Sequence, residues 1–159
     1  MSIIYNSFFK NLISSDIDLT KDDIKAILVS ELYEPLPSHD YKDVTPFEIE
    51  SPNYKSGGNS LYITTNGNSK VFSAKVSWKD LTAKIKFIVL YKNCEEPYPI
   101  LCQDLGGIRS LNNNNFSIRW DDFLLEFTQG EDSKKIENTS ILGSSVLGKM
   151  VLGMSIEDK

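Results

Sequence analysis

The stretch from Lys70 to Tyr91 constrains the fold most, because two alternating patterns follow each other within it. Apolar side chains fall at every second position, first at Phe72, Ala74, Val76 and Trp78, and then at Ala83, Ile85, Phe87, Val89 and Tyr91. A strand points successive side chains to opposite faces, so each half has one apolar face. Lys79-Asp80-Leu81, with two charged residues, separates the halves and predicts a hairpin turn. Ile88 and Leu90 make the second half apolar on both faces, which predicts that it is covered on both sides.

The rest of the first 128 residues is also typical of a β-rich domain. Helical spacing predicts one short amphipathic helix over Ile4–Ser14, and the β-branched run Ile24–Ser30 predicts a buried strand. Four prolines make Glu31–Asn53 irregular. Further strands and Gly- or Asn-rich turns follow, with turns at Gly57-Gly58, Gly106-Gly107 and 112–115. We therefore predict a mainly β fold, a β-sandwich body over residues 1–128 with one N-terminal helix.

The last 31 residues, 129–159, differ in composition from this body. Residues 129–140 are charged and without periodicity, which indicates a linker. Residues 141–159 then carry an [IV]-L-G triplet that returns every five residues, a period of neither a helix nor a strand. We interpret 141–159 as an extended apolar arm that orders on a neighbouring subunit or partner, with a last strand of the same domain as the alternative. The predicted partner-binding residues are Ile141, Leu142, Val146, Leu147, Met150, Val151, Leu152 and Met154.

Composition argues against several classes of protein. The net charge of −5 leaves no basic stripe for a nucleic-acid backbone. The longest apolar run, 87–91, is too short to span a bilayer, and the N-terminus lacks the basic start of a secretion signal. Cys94 and Cys102 are too few for a disulfide framework and predict two free thiols in a reducing cell. We expect no membrane and no nucleic-acid partner.

Few residues suggest catalysis or metal binding. His39 and Asp40 are adjacent, yet no Ser or Cys lies in a nucleophile-elbow context, so we interpret His39 as structural or merely exposed. The acidic pairs lack the spacing of a calcium loop, and the Gly pairs are not followed by the Lys-Ser/Thr of a phosphate loop. We therefore predict no enzyme, no cofactor and no metal. The acidic pairs are Asp22-Asp23, Glu95-Glu96 and Asp121-Asp122.

The aromatic residues allow two interpretations. They could line a sugar-binding face, or they could fill the core, and alternation within strands favours the core. The residues concerned are Tyr33, Tyr41, Tyr54, Tyr62, Trp78 and Trp120. A carbohydrate-binding module therefore stays as an alternative of a different class.

An ordered set of short motifs resembles a widespread family of small tailed-bacteriophage structural proteins. The order and spacing hold over about residues 5 to 127, and the chain departs from the family pattern after Phe127. The matching motifs are Asn6-Ser7-Phe8, Asp23 to Ser30, His39-Asp40-Tyr41, Ser56-Gly57-Gly58, Val76-Ser77-Trp78, Phe87 to Tyr91, Asp104 to Gly107 and Phe116 to Trp120.

This resemblance implies a structural component of a virion and no catalytic residues. We expect a capsid decoration or cement protein that is made in the host bacterial cytoplasm and binds the major capsid protein in many copies or as a homo-oligomer. A tail or head–tail connector protein is the alternative within the virion. In either case the expected contacts are non-covalent contacts between proteins.

Overall fold

A computed structural model describes residues 2–19, 21–65, 72–123 and 154–158. Within these ranges, seven strands form one antiparallel sheet, and helices are short. The elements are β1 (Ile3–Ile4), α1 (Asn6–Ile13), β2 (Ile24–Val29), α2 (Tyr41–Val44), a 3-10 turn (Thr45–Phe47), β3 (Asn59–Ser60), β4 (Tyr62–Thr65), β5 (Phe72–Lys92), β6 (Tyr98–Phe123) and β7 (Met154–Asp158). The mainly β class, α1 and the strand over residues 24–29 are confirmed. The sandwich is not confirmed, because the described strands join in one sheet.

Strands β5 and β6 are the frame of the sheet, and they correct the predicted hairpin at residues 79–81. β5 is one strand of 21 residues, and β6 continues through both Gly106-Gly107 and the Asn run for 26 residues. The predicted turns at residues 79–81 and 112–115 lie opposite each other, since Leu81 pairs with Asn114. They form a shared irregularity in one long ladder, where Asp80 and Asn113 both have positive φ.

The two halves of this ladder have different neighbours. Along residues 87–92 of β5 the strand order is β1-β6-β5-β2-β3, whereas near residues 72–75 and 116–120 the outer strands are β4 and β7. The two halves also come close to each other through the edge strand β3. The side-chain amide of Asn59 in β3 donates to the Ser77 carbonyl in the first half of β5 at 2.7 Å, which shows that the sheet curls. One face of both halves therefore shares a single core, which includes Phe8, Trp78 and Trp120.

A second core lies on the other face of β2 and the second half of β5. It contains Ile27, Val29, Phe87, Val89 and Cys102, and it is covered by Tyr5 and by the proline-punctuated segment with Tyr33 and Val44. This arrangement confirms that the second half of β5 is buried on both faces. It also explains why residues 31–50, which have little regular structure, are held close to the sheet.

The predicted linker 129–140 and most of the predicted arm lie outside the described residues. The last part of the arm is described: β7 pairs antiparallel with residues 116–120 of β6 in the same chain. The boundary at residue 128 stays a prediction.

Candidate functional site

The predicted arm contacts are placed only at their end. Met154 begins β7 and lies opposite Trp120 in the ladder. The other predicted partner-binding residues lie outside the described part of the chain, so their role stays a prediction: Ile141, Leu142, Val146, Leu147, Met150, Val151 and Leu152.

His39 belongs to a chain of hydrogen bonds that runs from the surface into the second core. Its Nδ1 lies 3.0 Å from the Tyr33 hydroxyl, which lies 2.9 Å from the Tyr5 hydroxyl. Burial raises the pKa of Tyr33 to about 12 and that of Tyr5 further still. Both phenols are therefore neutral at physiological pH, and the contacts fasten the segment around residue 39 to the sheet.

The neighbouring Asp40 does not act as the partner of that histidine in this arrangement. Its side chain accepts a hydrogen bond from the Asp43 backbone, and the Asp40 N–H donates to Asp43 Oδ2 at 2.8 Å. This reciprocal pair is a capping box at the start of α2. Adjacency in the sequence suggested a His-Asp couple, whereas the geometry gives each residue a separate structural contact.

Glu48, Tyr54 and Gly57 form a second network, which closes the edge of β2. The Tyr54 hydroxyl accepts from the Leu28 N–H at 3.1 Å and donates to Glu48 Oε1 at 2.7 Å. The same Glu48 oxygen accepts from the Gly57 N–H at 2.8 Å. Burial raises the pKa of Tyr54, so its proton stays in the bond to Glu48. The phenol thus takes the Leu28 N–H, while the Leu28 carbonyl accepts from the Ile49 N–H at 3.0 Å.

Tyr91 and Gly58 bring the next loop close to the sheet. The Tyr91 hydroxyl donates to the Gly57 carbonyl at 2.7 Å, and the Tyr91 ring lies 4.5 Å from the ring of Tyr41. Gly58 has φ +70°, and a Cβ placed on it would lie 1.8 Å from the Ala26 carbonyl oxygen. A side chain at this position cannot be accommodated without moving β2. These contacts hold the chain before β3 at two places, at Tyr41 and at Gly57-Gly58.

Residues 31–50 present a surface with exposed apolar and acidic side chains, which we call the acidic platform. Leu32 and Leu36 are 73% and 52% exposed on it. The platform contains six carboxylates, at positions 31, 34, 40, 43, 48 and 50, against one lysine at 42. A shallow depression of about 310 Å³ lies beside Leu32, between Tyr33, His39 and Phe47. Apolar side chains on a preordered surface are suited to contact with another macromolecule.

A polar groove of about 910 Å³ lies between α1 and the loop after β5. The ammonium group of Lys92 lies 3.6 Å from an Asp16 carboxylate oxygen and 3.4 Å from one of Asp22. Glu95 and Glu96 line the groove as well, and the exposed thiol of Cys94 lies 3.3 Å from the Glu96 carbonyl. The groove therefore has charges of both signs, and its central cation is paired within the chain.

The other predicted candidates occupy structural positions. Asp22 accepts from the Asp18 N–H at 2.7 Å, and Asp23 accepts from Ser60 and Asn93 at 2.7 and 2.8 Å. The side chains of Asp121 and Asp122 lie outside the described part. Within the residues described, no three or more His, Cys, Asp or Glu side chains are grouped as they would be around a metal ion. None of the described helices is both long and apolar enough to cross a membrane.

The aromatic residues that might have lined a sugar-binding face are mostly inside. Tyr33, Tyr54, Trp78 and Trp120 are buried, and Tyr41 is half-buried. Tyr62 is the exception, with 70% of its surface exposed. The preference for the core is therefore confirmed at these four positions.

Sequence reasoning missed the acidic platform. The proline spacing indicated irregular backbone, but the contacts that hold it join distant positions, such as Tyr5 with Tyr33 and Tyr91 with Tyr41. The excess of carboxylates over residues 31–50 is a signal that could have identified it. In comparisons of the chain with protein-family models, curated proteins and solved structures, no match was found.

Proposed function

We propose that this protein is a structural component of a tailed-phage virion, and that it decorates the capsid by binding the major capsid protein. Two observations support the proposal. The ordered motifs over about residues 5 to 127 resemble those of small phage structural proteins. The acidic platform supplies a preordered surface for contact with another protein.

The platform is the main observation behind the proposal, because its exposed leucines lie next to a residue that hydrogen bonds hold in place. Full burial of one leucine side chain contributes about 1.5–3 kcal/mol. Leu32 and Leu36 lie on either side of Tyr33, which the bonds to Tyr5 and His39 hold in place. Binding through them therefore orders little additional backbone, so less of the contact energy is lost to entropy.

The charge of the platform indicates the kind of surface it would contact. The twenty residues that include the exposed leucines carry six carboxylates and one lysine. A matching surface would have an apolar depression with Lys or Arg side chains around it, since opposite charges speed association and exclude wrong partners. Binding should consequently weaken as salt is added.

The predicted apolar arm would add a second contact. Two linked contacts bind more tightly than either alone, because the second forms at a high effective concentration. Repetition of the same contacts around a shell would give a stable layer even where each contact is weak. This proposal places many copies of the chain on one particle.

The experiment uses phage heads and tails assembled without this protein. Purified full-length chain, a L32S/L36S variant and an I108S control are each mixed with the particles and sedimented. Ile108 is 52% exposed in β6 and does not belong to the platform. We expect wild type and I108S to sediment with heads, and L32S/L36S to bind at least about tenfold more weakly, from the loss of two buried leucines.

Other results would redirect or overturn the proposal. Binding to tails alone would support the tail or connector alternative. Binding to neither particle would contradict a virion role. Equal binding of wild type and L32S/L36S would show that the platform is not the attachment surface.

A further inference from the structure

β7 is an edge strand of the sheet. It pairs with one side of β6, whose other side pairs with β5. β7 pairs with β6 over five positions, from Trp120 opposite Met154 to Phe116 opposite Asp158. On this side of β6, the backbone groups of residues 116–120 would have no strand partner from the described sheet if β7 were absent. An edge of this kind is a template for pairing with another extended segment.

The acceptor strand has an alternating pattern that selects a matching donor. Phe116, Ile118 and Trp120 are buried in the core, and the residues between them are not. The register places Ile156 opposite Ile118 and Met154 opposite Trp120. Asp158 is the polar exception, at the end of the ladder opposite Phe116. A shift of one residue would place only Ser155 and Glu157 opposite the buried positions, so the pattern favours the observed register. Donor and acceptor therefore match best in this register.

The connection between β6 and β7 is long. Thirty residues, 124–153, separate Phe123 from Met154. An extended chain of that length reaches about 100 Å, at about 3.3–3.6 Å per residue. The covalent connection therefore allows β7 to reach its own β6 and also that of an adjacent molecule. Since every copy carries the same donor and the same acceptor, both arrangements form the same five-residue ladder.

We propose that β7 is exchanged between copies of this chain, so that residues 154–158 of one molecule pair with residues 116–120 of the next. The backbone bonds are the same within and between molecules, so concentration decides which arrangement dominates. A tethered segment has an effective concentration in the millimolar range. Copies packed on a surface at comparable local concentration would exchange strands, and dilute copies would pair internally. The inference is independent of the proposed virion role, because it requires only copies of this chain.

The test is disulfide trapping with full-length protein. All variants carry C94S, which removes the exposed thiol, while Cys102 is buried and burial raises the pKa of its thiol to about 12. One preparation carries S117C and another carries E157C, two positions that are directly paired in the ladder. They are mixed at about 1 mM, near the effective concentration of a tethered segment, and oxidised. The control mixture combines S117C with S155C, which pairs with position 119 instead.

Exchange predicts a covalent S117C–E157C dimer at least about threefold above that in the control mixture. The control should react poorly, because diagonal neighbours lie about 7–8 Å apart with their Cβ atoms only somewhat closer, whereas a disulfide needs Cβ atoms about 3.5–4.5 Å apart. A chain carrying both S117C and E157C reports the internal arrangement. An internal disulfide in that chain, without dimers above the control in the mixture, would overturn the exchange. The absence of both products would also overturn it, because the β6–β7 pairing itself would then be absent.

Discussion

Removal of the Tyr54 hydroxyl should destabilise the protein although the aromatic ring stays in the core. In Tyr54→Phe, the buried Leu28 N–H loses its acceptor, which is 3.1 Å away in the wild type. Glu48 loses its 2.7 Å donor at the same time. No described strand replaces the lost acceptor, because β3 pairs with β2 only at residues 25–26.

The expected magnitude follows from these two losses. A buried donor left without a partner costs about 1–3 kcal/mol, and a hydrogen bond to a charged group contributes about 1.5–3 kcal/mol. Gly57 still donates to Glu48 in the variant, so the second loss is partly compensated. We expect the free energy of unfolding to fall by about 2–3 kcal/mol, which is a large part of the stability of a typical domain.

Urea denaturation followed by tryptophan fluorescence would measure this change. Tyr62→Phe is the matched control, since it makes the same chemical change at a side chain that is 70% exposed. The control should stay within about 0.5 kcal/mol of wild type. If Tyr54→Phe also stayed within that range, the phenol would not be the partner that closes the edge of β2.

Four further substitutions test other parts of the structure by the same denaturation assay. Gly58→Ala should cost more than about 2 kcal/mol because its Cβ would clash with Ala26, whereas Gly106→Ala, also at positive φ but with open space, should cost about 1 kcal/mol; equal costs would contradict the close approach. Trp78→Ala should cost about 3–5 kcal/mol, and an unchanged urea denaturation curve, followed through the remaining Trp120, would contradict its burial. Hydrogen bonds from Asn93 and Ser60 lower the pKa of Asp23, so its contribution is present above its unfolded-state pKa and is lost as pH falls through the folded-state value. Asp23→Asn should therefore flatten the loss of stability between about pH 5 and pH 2, and an identical acid profile would refute this role.

Periodicity was sufficient where an element is defined by its own residues. The alternation around Trp78 and the apolar run at 24–29 identified buried strands, because burial on one or both faces leaves a direct trace in the sequence. The helical spacing of Phe8 and Leu12 likewise identified α1. These elements account for much of the first core and for the mainly β class.

The same reasoning failed where a break in the alternation is compatible with two different backbone structures. Residues 79–81 suit a hairpin turn, but they also suit an irregularity within a strand, and the choice depends on the partner strand. Here Asn115 Oδ1 accepts from the Asp80 N–H at 3.1 Å, and Thr82 Oγ1 accepts from the Asn113 N–H at 3.0 Å. Residues more than thirty positions apart thus satisfy each other across the ladder, and local composition cannot reveal that pairing.

The acidic platform was hidden for a related reason. Its prolines predict irregular backbone, and irregular backbone gives no periodic signal. The platform is held by contacts with distant positions: the Tyr5 hydroxyl bonds to that of Tyr33, 28 positions away, and the Tyr91 ring lies 4.5 Å from the ring of Tyr41. These contacts follow from the sheet topology. The prediction of a hairpin at residues 79–81 was wrong, so the predicted topology could not reveal them.

Quantitative mass spectrometry of purified phage particles would test the central claim most directly. Particles from the bacterial culture that carries this gene would be separated by density from free protein, and the abundance of this chain would be compared with that of the major capsid protein in each fraction. The proposed function predicts that the chain purifies with the particles, in a ratio to the capsid protein that stays constant from one preparation to the next. Recovery of the chain only in the particle-free fraction would contradict a structural role in the virion.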